Sequence, residues 1–157
     1  MTGVQTCALP ISYNGNSNTS GSVPVDASSP YNYNSNVTVK TNSGTLARTG
    51  YTFSGWNTAA DGSGTDYAAS GSATFAISAN TILYAKWSIN SYTVSYDGNG
   101  NTGGSVPVDA SSPYNYNSNV TVKTNSGTLA RTGYTFSGWN TQTDGLGTNY
   151  EASGSVT

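Results

Sequence analysis

The sequence has no histidine, one cysteine and few charges, and each shortage removes a class of function. Without histidine there is no ordinary general base near neutral pH and no imidazole metal ligand. The lone Cys7 has no second cysteine to pair with, so cysteine usage leaves the redox compartment open. Charged residues make up 8% of the 157 residues, against roughly a quarter in an average globular protein. Five basic side chains beside seven acidic ones supply neither an electrostatic footprint for nucleic acid nor a polybasic patch for anionic lipid. No apolar run approaches the roughly 18 residues that span a bilayer, and no charged-then-apolar leader opens the chain, so membrane insertion is not expected of this stretch.

What is there is Gly, Ser, Thr and Asn, with twelve Tyr and three Trp, arranged in a long repeat. At an offset of 83 residues the chain aligns with itself from Tyr13 against Tyr96 to Thr74 against Thr157, and residues 21–58 are identical to 104–141. That offset exceeds the roughly 20 to 50 residues of solenoid and propeller repeats, which favours separate units in tandem. A unit of about 80 residues buries only about 60 to 65% of its unfolded surface, so large aromatic side chains are an economical core.

The central stretch is Gly50 to Asn57, repeated at Gly133 to Asn140. Tyr51 and Phe53 alternate with Thr52 and Ser54, the period of a strand buried on one face, and Gly55 allows a kink before Trp56. Tyr92 to Tyr96 alternates likewise, with Tyr92, Val94 and Tyr96 on one face. In the first copy Leu9 and Ile11 stand opposite Tyr92 and Val94, which predicts a substitute edge strand there, where Pro10 is tolerated. Ser22 to Asp26 reads as a short extended piece held out of a central ladder by Pro24, Val37 to Lys40 as a brief strand, and Thr45 to Arg48 as room for one helical turn. A closing strand is predicted at Thr81 to Trp87, with Leu83, Ala85 and Trp87 on one face. The second copy stops at Thr157, ahead of that strand, so an unpaired sheet edge and an incomplete core are expected in it.

These readings give a mainly β fold, with room for a small α+β variant, in two units that are each incomplete at an end of the chain. The expected core is Tyr51, Phe53, Trp56, Leu83 and Trp87 in the first unit and Val94, Tyr134, Phe136 and Trp139 in the second. Residues 1–12 match nothing else in the chain and read as a non-native, adapter-derived segment. Unit 1 is then 13–87, with its first strand missing or substituted by 8–12, and unit 2 is 92–157, with its last strand missing. Residues 88–91 read as a short linker without Gly or Pro, which restricts motion between neighbours.

Three motifs in order, Tyr-Thr-Val-Ser-Tyr-Asp-Gly-Asn-Gly at 92–100, Arg-Thr-Gly-Tyr-Thr-Phe-Ser-Gly-Trp at 48–56 and Leu-Tyr-Ala-Lys-Trp at 83–87, resemble the Listeria–Bacteroides repeat. That repeat is related to the B-repeat of internalin-type surface proteins. The resemblance covers nearly all of the chain from residue 13 onward. It implies compact β-grasp-like units in tandem on large, extracellular, bacterial cell-surface or secreted proteins, with neighbouring repeats as partners. It implies no enzyme activity and no cofactor.

Candidate chemistry is sparse. Asp61 and Asp66 lie in a Gly-rich loop where Asp caps its own backbone. Asp97-Gly98-Asn99-Gly100-Asn101 echoes the first ligands of a calcium loop, but Thr102 stands where Gly is required, Val108 where a bidentate Glu belongs, and the first copy offers only Asn14, Asn16 and Asn18. A turn is the better reading, and no metal site is assigned. Lys40 and Lys86 raise a Lys–Asn cross-link that nothing in the spacing supports. Tyr31, Tyr33, Tyr67 and Trp56 could stack on sugar faces, yet a chain this poor in Leu, Ile and Met needs Trp56 and Trp87 for its core. Tyr31 and Tyr33, with Tyr114 and Tyr116 in the second copy, are the candidate ligand contacts, since they sit in a polar loop. Two functions follow: a non-enzymatic spacer that extends or presents other domains, or an adhesive module for glycan or protein ligands that gains avidity from repetition.

Overall fold

The computed structural model describes residues 8–152 and 155–156. The first seven residues, with Cys7 and most of the segment read as adapter-derived, lie outside them, as do 153, 154 and 157. Contacts divide the chain after Asn90 into two units. No helix occurs among the described residues, so the fold is mainly β and the α+β variant is not realised.

In unit 1 the strands are β1 (Ala8–Leu9), β2 (Ile11–Asn14), β3 (Tyr31–Asn32), β4 (Asn36–Thr38), β5 (Tyr51–Asn57), β6 (Asp66–Tyr67), β7 (Thr74–Ala76) and β8 (Thr81–Ile89). A four-stranded sheet runs β2-β8-β5-β6, with β2 parallel to β8 and the other pairs antiparallel. Two small ribbons, β1 with β3 and β4 with β7, complete the unit. The alternation of β8 puts Leu83 and Ala85 fully inside while Ile82 is exposed. Leu83 and Ala85 join Leu9, Ile11, Tyr13, Val37, Val39, Leu46, Trp56 and Ile77 in one core, against which Phe53 and Trp87 pack.

Residues 8–12 contribute β1 and the start of β2. Leu9 pairs with Tyr31 as Tyr92 pairs with Tyr114, and Ile11 begins the edge strand β2. Both side chains are buried, while Pro10 sits exposed between the two strands and its carbonyl accepts from the Thr81 amide at 3.0 Å. Thr45 to Arg48 is not a helical turn. Thr45 has φ +51°, Ala47 bridges to Ser20, and Arg48 bridges to Tyr51 with its guanidinium 4.1 Å from the ring centre. The span read as a linker is mostly strand: Ser88 and Ile89 pair with Thr52 and Tyr51, and Ser91 begins the next strand.

Unit 2 has β9 (Ser91–Tyr92), β10 (Tyr114–Asn115), β11 (Val120–Thr121), β12 (Trp139–Asn140), β13 (Asn149–Tyr150) and β14 (Ser155–Val156). They form three two-stranded ribbons, β9 with β10, β11 with β14 and β12 with β13. No residue of the sequence corresponds to β8, because the 83-residue offset carries that strand past Thr157. The strand read at Tyr92 to Tyr96 is accordingly confined to β9, and the copy of β5 is reduced to β12. The core expectation fails at two places for the same reason. Tyr134 is 69% and Phe136 37% exposed, whereas the same side chains in unit 1, Tyr51 and Phe53, are half-buried beneath β8. Val94 and Trp139 remain half-buried.

Candidate functional site

The tightest polar constellation is centred on Asp26, in the extended piece before a turn closed by Ser29 and the cis-linked Pro30. The Asp26 side chain has no solvent exposure, although that of Lys40 beside it is partly open, with Nζ 3.1 Å from Oδ1. The Tyr31 hydroxyl donates to the second carboxylate oxygen at 2.9 Å, and the Ser28 amide donates to the first at 3.0 Å. The Lys40 backbone amide in turn donates to the Tyr13 hydroxyl, and its carbonyl accepts from the Trp56 indole, each at 2.9 Å. One short residue run therefore ties the turn, the edge strand and the central strand together. The second unit repeats the constellation with Asp109, Lys123, Tyr114, Ser111, Tyr96 and Trp139.

Burial alone would raise the Asp26 carboxyl, but the Ser28 amide, the Tyr31 hydroxyl and Lys40 together hold it below the usual carboxylate range. The Tyr114 hydroxyl does most to lower Asp109, and Asp109 in return raises Lys123. The shifts favour the ionised carboxylates of Asp26 and Asp109, the wrong direction for a general acid. Lys86 contacts Asp66 at 2.5 Å, an ion pair open to solvent on both sides and so worth little.

A pH dependence follows from the depressed carboxyls. The unfolded chain has the higher pKa and binds more protons, so the stabilisation from Asp26 is complete above about pH 4 and is lost as pH falls through its folded value. Asp61, Asp66 and Asp109 are lowered too and act with the same sign. Urea midpoints measured from pH 6 down to pH 2 are expected to fall in the acid range. Asp26→Asn is expected to start lower and fall less steeply; an unchanged acid slope would show that Asp26 is not depressed.

A second hub is Asn57, which is buried in the last position of β5. Its Nδ2 donates to the Gly62 and Gly64 carbonyls at 3.2 and 3.1 Å and to Asp66 at 2.6 Å, while its Oδ1 accepts from the Ala59 and Gly64 amides. Asn140 holds the equivalent loop in the same way, with Asn149 replacing Asp66. Neither Asn57 nor Asp26 was singled out from the sequence. The available signal was the spacing Asn-x4-Gly-x-Gly after each Gly-Trp, and an Asp two residues ahead of Ser-Ser-Pro-Tyr.

The candidate ligand contacts divide. Tyr31 and Tyr114 are half-buried with their hydroxyls committed to Asp26 and Asp109, whereas Tyr33 is 65% and Tyr116 37% exposed. Neither Tyr31 nor Tyr33 lines the polar cleft of about 270 Å³ in unit 1, whose walls include Asn16, Arg48, Asn57, Asp61, Lys86 and Trp87. Trp56 is fully buried and Tyr67 half-buried, its ring tilted against that of Phe75 with centres 5.0 Å apart, so they form no exposed platform with Tyr31 and Tyr33. Asn14 and Asp97 of the calcium-like turn accept from the amides two residues on, as turn residues do, and no metal-ligating cluster occurs among the described residues. Asp61 caps Ser63 in the same manner.

A β unit built twice around one Asp-Lys-Tyr tie and one Asn-held loop defines a tandem repeat module. The sequence pattern of the Listeria–Bacteroides repeat domain matches residues 10–86 and again 92–157, and the chain belongs to that family. It is 45% identical over 118 residues to a protein of Evansella cellulosilytica provisionally named a Gly-rich membrane protein, covering 73% of this chain and 13% of that one. A second protein of the same organism, provisionally named a membrane protein, is 51% identical over 75 residues, 48% of this chain and 11% of its own. The chain thus spans about an eighth of the curated relatives it matches. No solved structure matches it. No helix among the described residues is long and apolar enough to cross a membrane.

Proposed function

We propose that the chain is a non-enzymatic structural repeat of a bacterial cell-surface or secreted protein, where it extends or presents other domains. The observation that carries this reading is the duplication of one small unit with identical residues at 21–58 and 104–141 and the same internal ties in each copy. Its two clusters of charge and amide are spent on holding loops to strands. A place at the cell surface is supported by the family and by the membrane-protein names of much longer relatives. The bacterial origin of those relatives agrees with it.

Solution scattering on two complete units joined as here is expected to give a maximum dimension near the sum of two unit lengths. A particle no longer than one unit would remove the spacer role. The exposure of Tyr33 in its polar loop favours a second reading, adhesion to glycan or protein through repeated weak contacts. A glycan array read with the chain and with a Tyr33→Ala, Tyr116→Ala variant separates the two: binding lost in the variant supports adhesion, and no binding leaves the spacer.

A further inference from the structure

Unit 1 carries three basic side chains, and two of them are answered by carboxylates: Lys40 by Asp26 and Lys86 by Asp66. Arg48 is the exception. The residue is half-buried and its guanidinium carbon lies 4.1 Å from the centre of the Tyr51 ring, yet the group has neither an acidic partner nor a hydrogen-bond acceptor among the described residues. Stacking on a ring fixes the plane of the fork and uses none of its N–H donors, which are left for a planar acceptor that takes two at once.

Arg48 lines the polar cleft of about 270 Å³, whose walls come from the turn after β2, the loop after β5 and β8. Most polar groups there are spent on holding those segments together. Asn16 Nδ2 donates to the Ala60 and Ala85 carbonyls at 2.8 and 2.9 Å, and the Trp87 indole donates to the Gly15 and Asn16 carbonyls at 3.1 and 3.0 Å. Asn57 is committed to its loop in the same way. The cleft is thus built before any ligand arrives, which lowers the cost of binding. Two groups keep spare capacity. One is the Arg48 fork, and the other is Asp61, where the Ser63 amide and hydroxyl both donate to Oδ1, at 3.0 and 2.7 Å, and leave Oδ2 to accept from elsewhere. The volume lies just below the roughly 300–1,000 Å³ of small-ligand sites, room for one sugar-sized group.

We propose that this cleft binds an acidic sugar, a pyranose with one carboxylate, as in the uronic acid residues of polysaccharides. The ligand carboxylate accepts two parallel N–H bonds from Arg48, a ring hydroxyl donates to Asp61 Oδ2, and the C–H face of the ring lies along Trp87 and Ala60. One unanswered cation beside one free carboxylate oxygen selects this chemistry. A neutral sugar leaves the fork without its acceptor, and a dianionic phosphate brings more negative charge against Asp61 than one guanidinium offsets. The site is separate from the Tyr33 loop and independent of the spacer role, since a unit can bind here whatever the length of the chain in solution.

The test titrates the full chain, labelled with heavy nitrogen, with D-glucuronic acid at neutral pH and follows the backbone amide and Arg48 Nε signals. Ala59 and Ala60 report on unit 1 alone, because Gln142 and Thr143 stand in their places in unit 2. Saturable shifts are expected at Arg48, 59–62 and 85–87, with a dissociation constant on the order of millimolar. D-glucose and sodium acetate each carry half of the recognised chemistry and are expected to bind at least about tenfold more weakly. Arg48→Gln, which loses the charge, and Arg48→Lys, which keeps it but loses the fork, are expected to weaken glucuronate by about tenfold or more. Tyr33→Ala is expected to leave these shifts as they were, which separates this site from adhesion through the polar loop. Absence of saturable shifts in unit 1 overturns the proposal, and the ligand series decides this without any variant. So does acetate or inorganic phosphate binding as well as glucuronate, which would mark an adventitious ion only, or undiminished binding in both Arg48 variants.

Discussion

Replacing Trp56 by alanine is expected to unfold the first unit. The side chain is fully buried, with Tyr13 and Phe53 edge-on at 4.7 and 5.2 Å and its indole bonded to the Lys40 carbonyl. Truncating a buried Trp costs about 3–5 kcal/mol through lost transfer energy and the cavity left behind. The Lys40 carbonyl would lose its donor as well, a further penalty of about 1–3 kcal/mol if water does not replace it. A unit of this size has a total stability of about 4–12 kcal/mol, so the loss removes most of it or all. Trp139→Ala, in the same residue run but only half-buried, is expected to cost less. Urea unfolding followed by tryptophan fluorescence and far-ultraviolet circular dichroism checks both. A Trp56→Ala chain that melts like the parent would mean that the ring packs against nothing that matters.

The parts of the fold legible in the sequence were those governed by local alternation. The two faces of β8, with Leu83 and Ala85 inside and Ile82 out, follow from period two alone. The substitution of Leu9 and Ile11 for Tyr92 and Val94 could be read by aligning the repeat, because burial at an edge strand demands only an apolar side chain at the right parity. Sequence alternation could not place Asp26 in the interior. Its burial depends on Lys40 and Tyr31 arriving from separate elements, and a carboxylate is tolerated there only because those partners and the Ser28 amide converge on it. Asn57 was hidden for a similar reason, since its donors and acceptors lie in a loop that exists only once the side chain has organised it. Tyr134 and Phe136 show the converse. Their sequence environment is identical to that of Tyr51 and Phe53, and their exposure is set by a strand that the local pattern cannot see.

Gly55→Ala is expected to be nearly as damaging as the loss of Trp56, by a different route. Tyr51 and Phe53 point inward at period two, which would turn position 56 outward. The β5–β8 register prevents this: Phe53 pairs with Trp87 and Gly55 with Lys86, so Ser54 is an extra residue and Trp56 falls opposite Ala85. The bulge thereby restores Trp56 to the face of Phe53. It depends on glycine, because φ at Gly55 is +136° and an added Cβ would lie 2.7 Å from the Tyr67 carbonyl oxygen. Backbone strain of about 1–3 kcal/mol and crowding of similar size together give about 2–6 kcal/mol. Relieving the strain by removing the bulge is no escape, since a one-residue slip sends Trp56 to the solvent face. Gly62→Ala is the control. Gly62 also has positive φ, +80°, but a Cβ there meets nothing within 4 Å, so only the conformational penalty of about 1 kcal/mol applies. Urea midpoints of the two variants are expected to separate clearly. If Gly55→Ala proved no worse than Gly62→Ala, the bulge would not be what places Trp56 in the core.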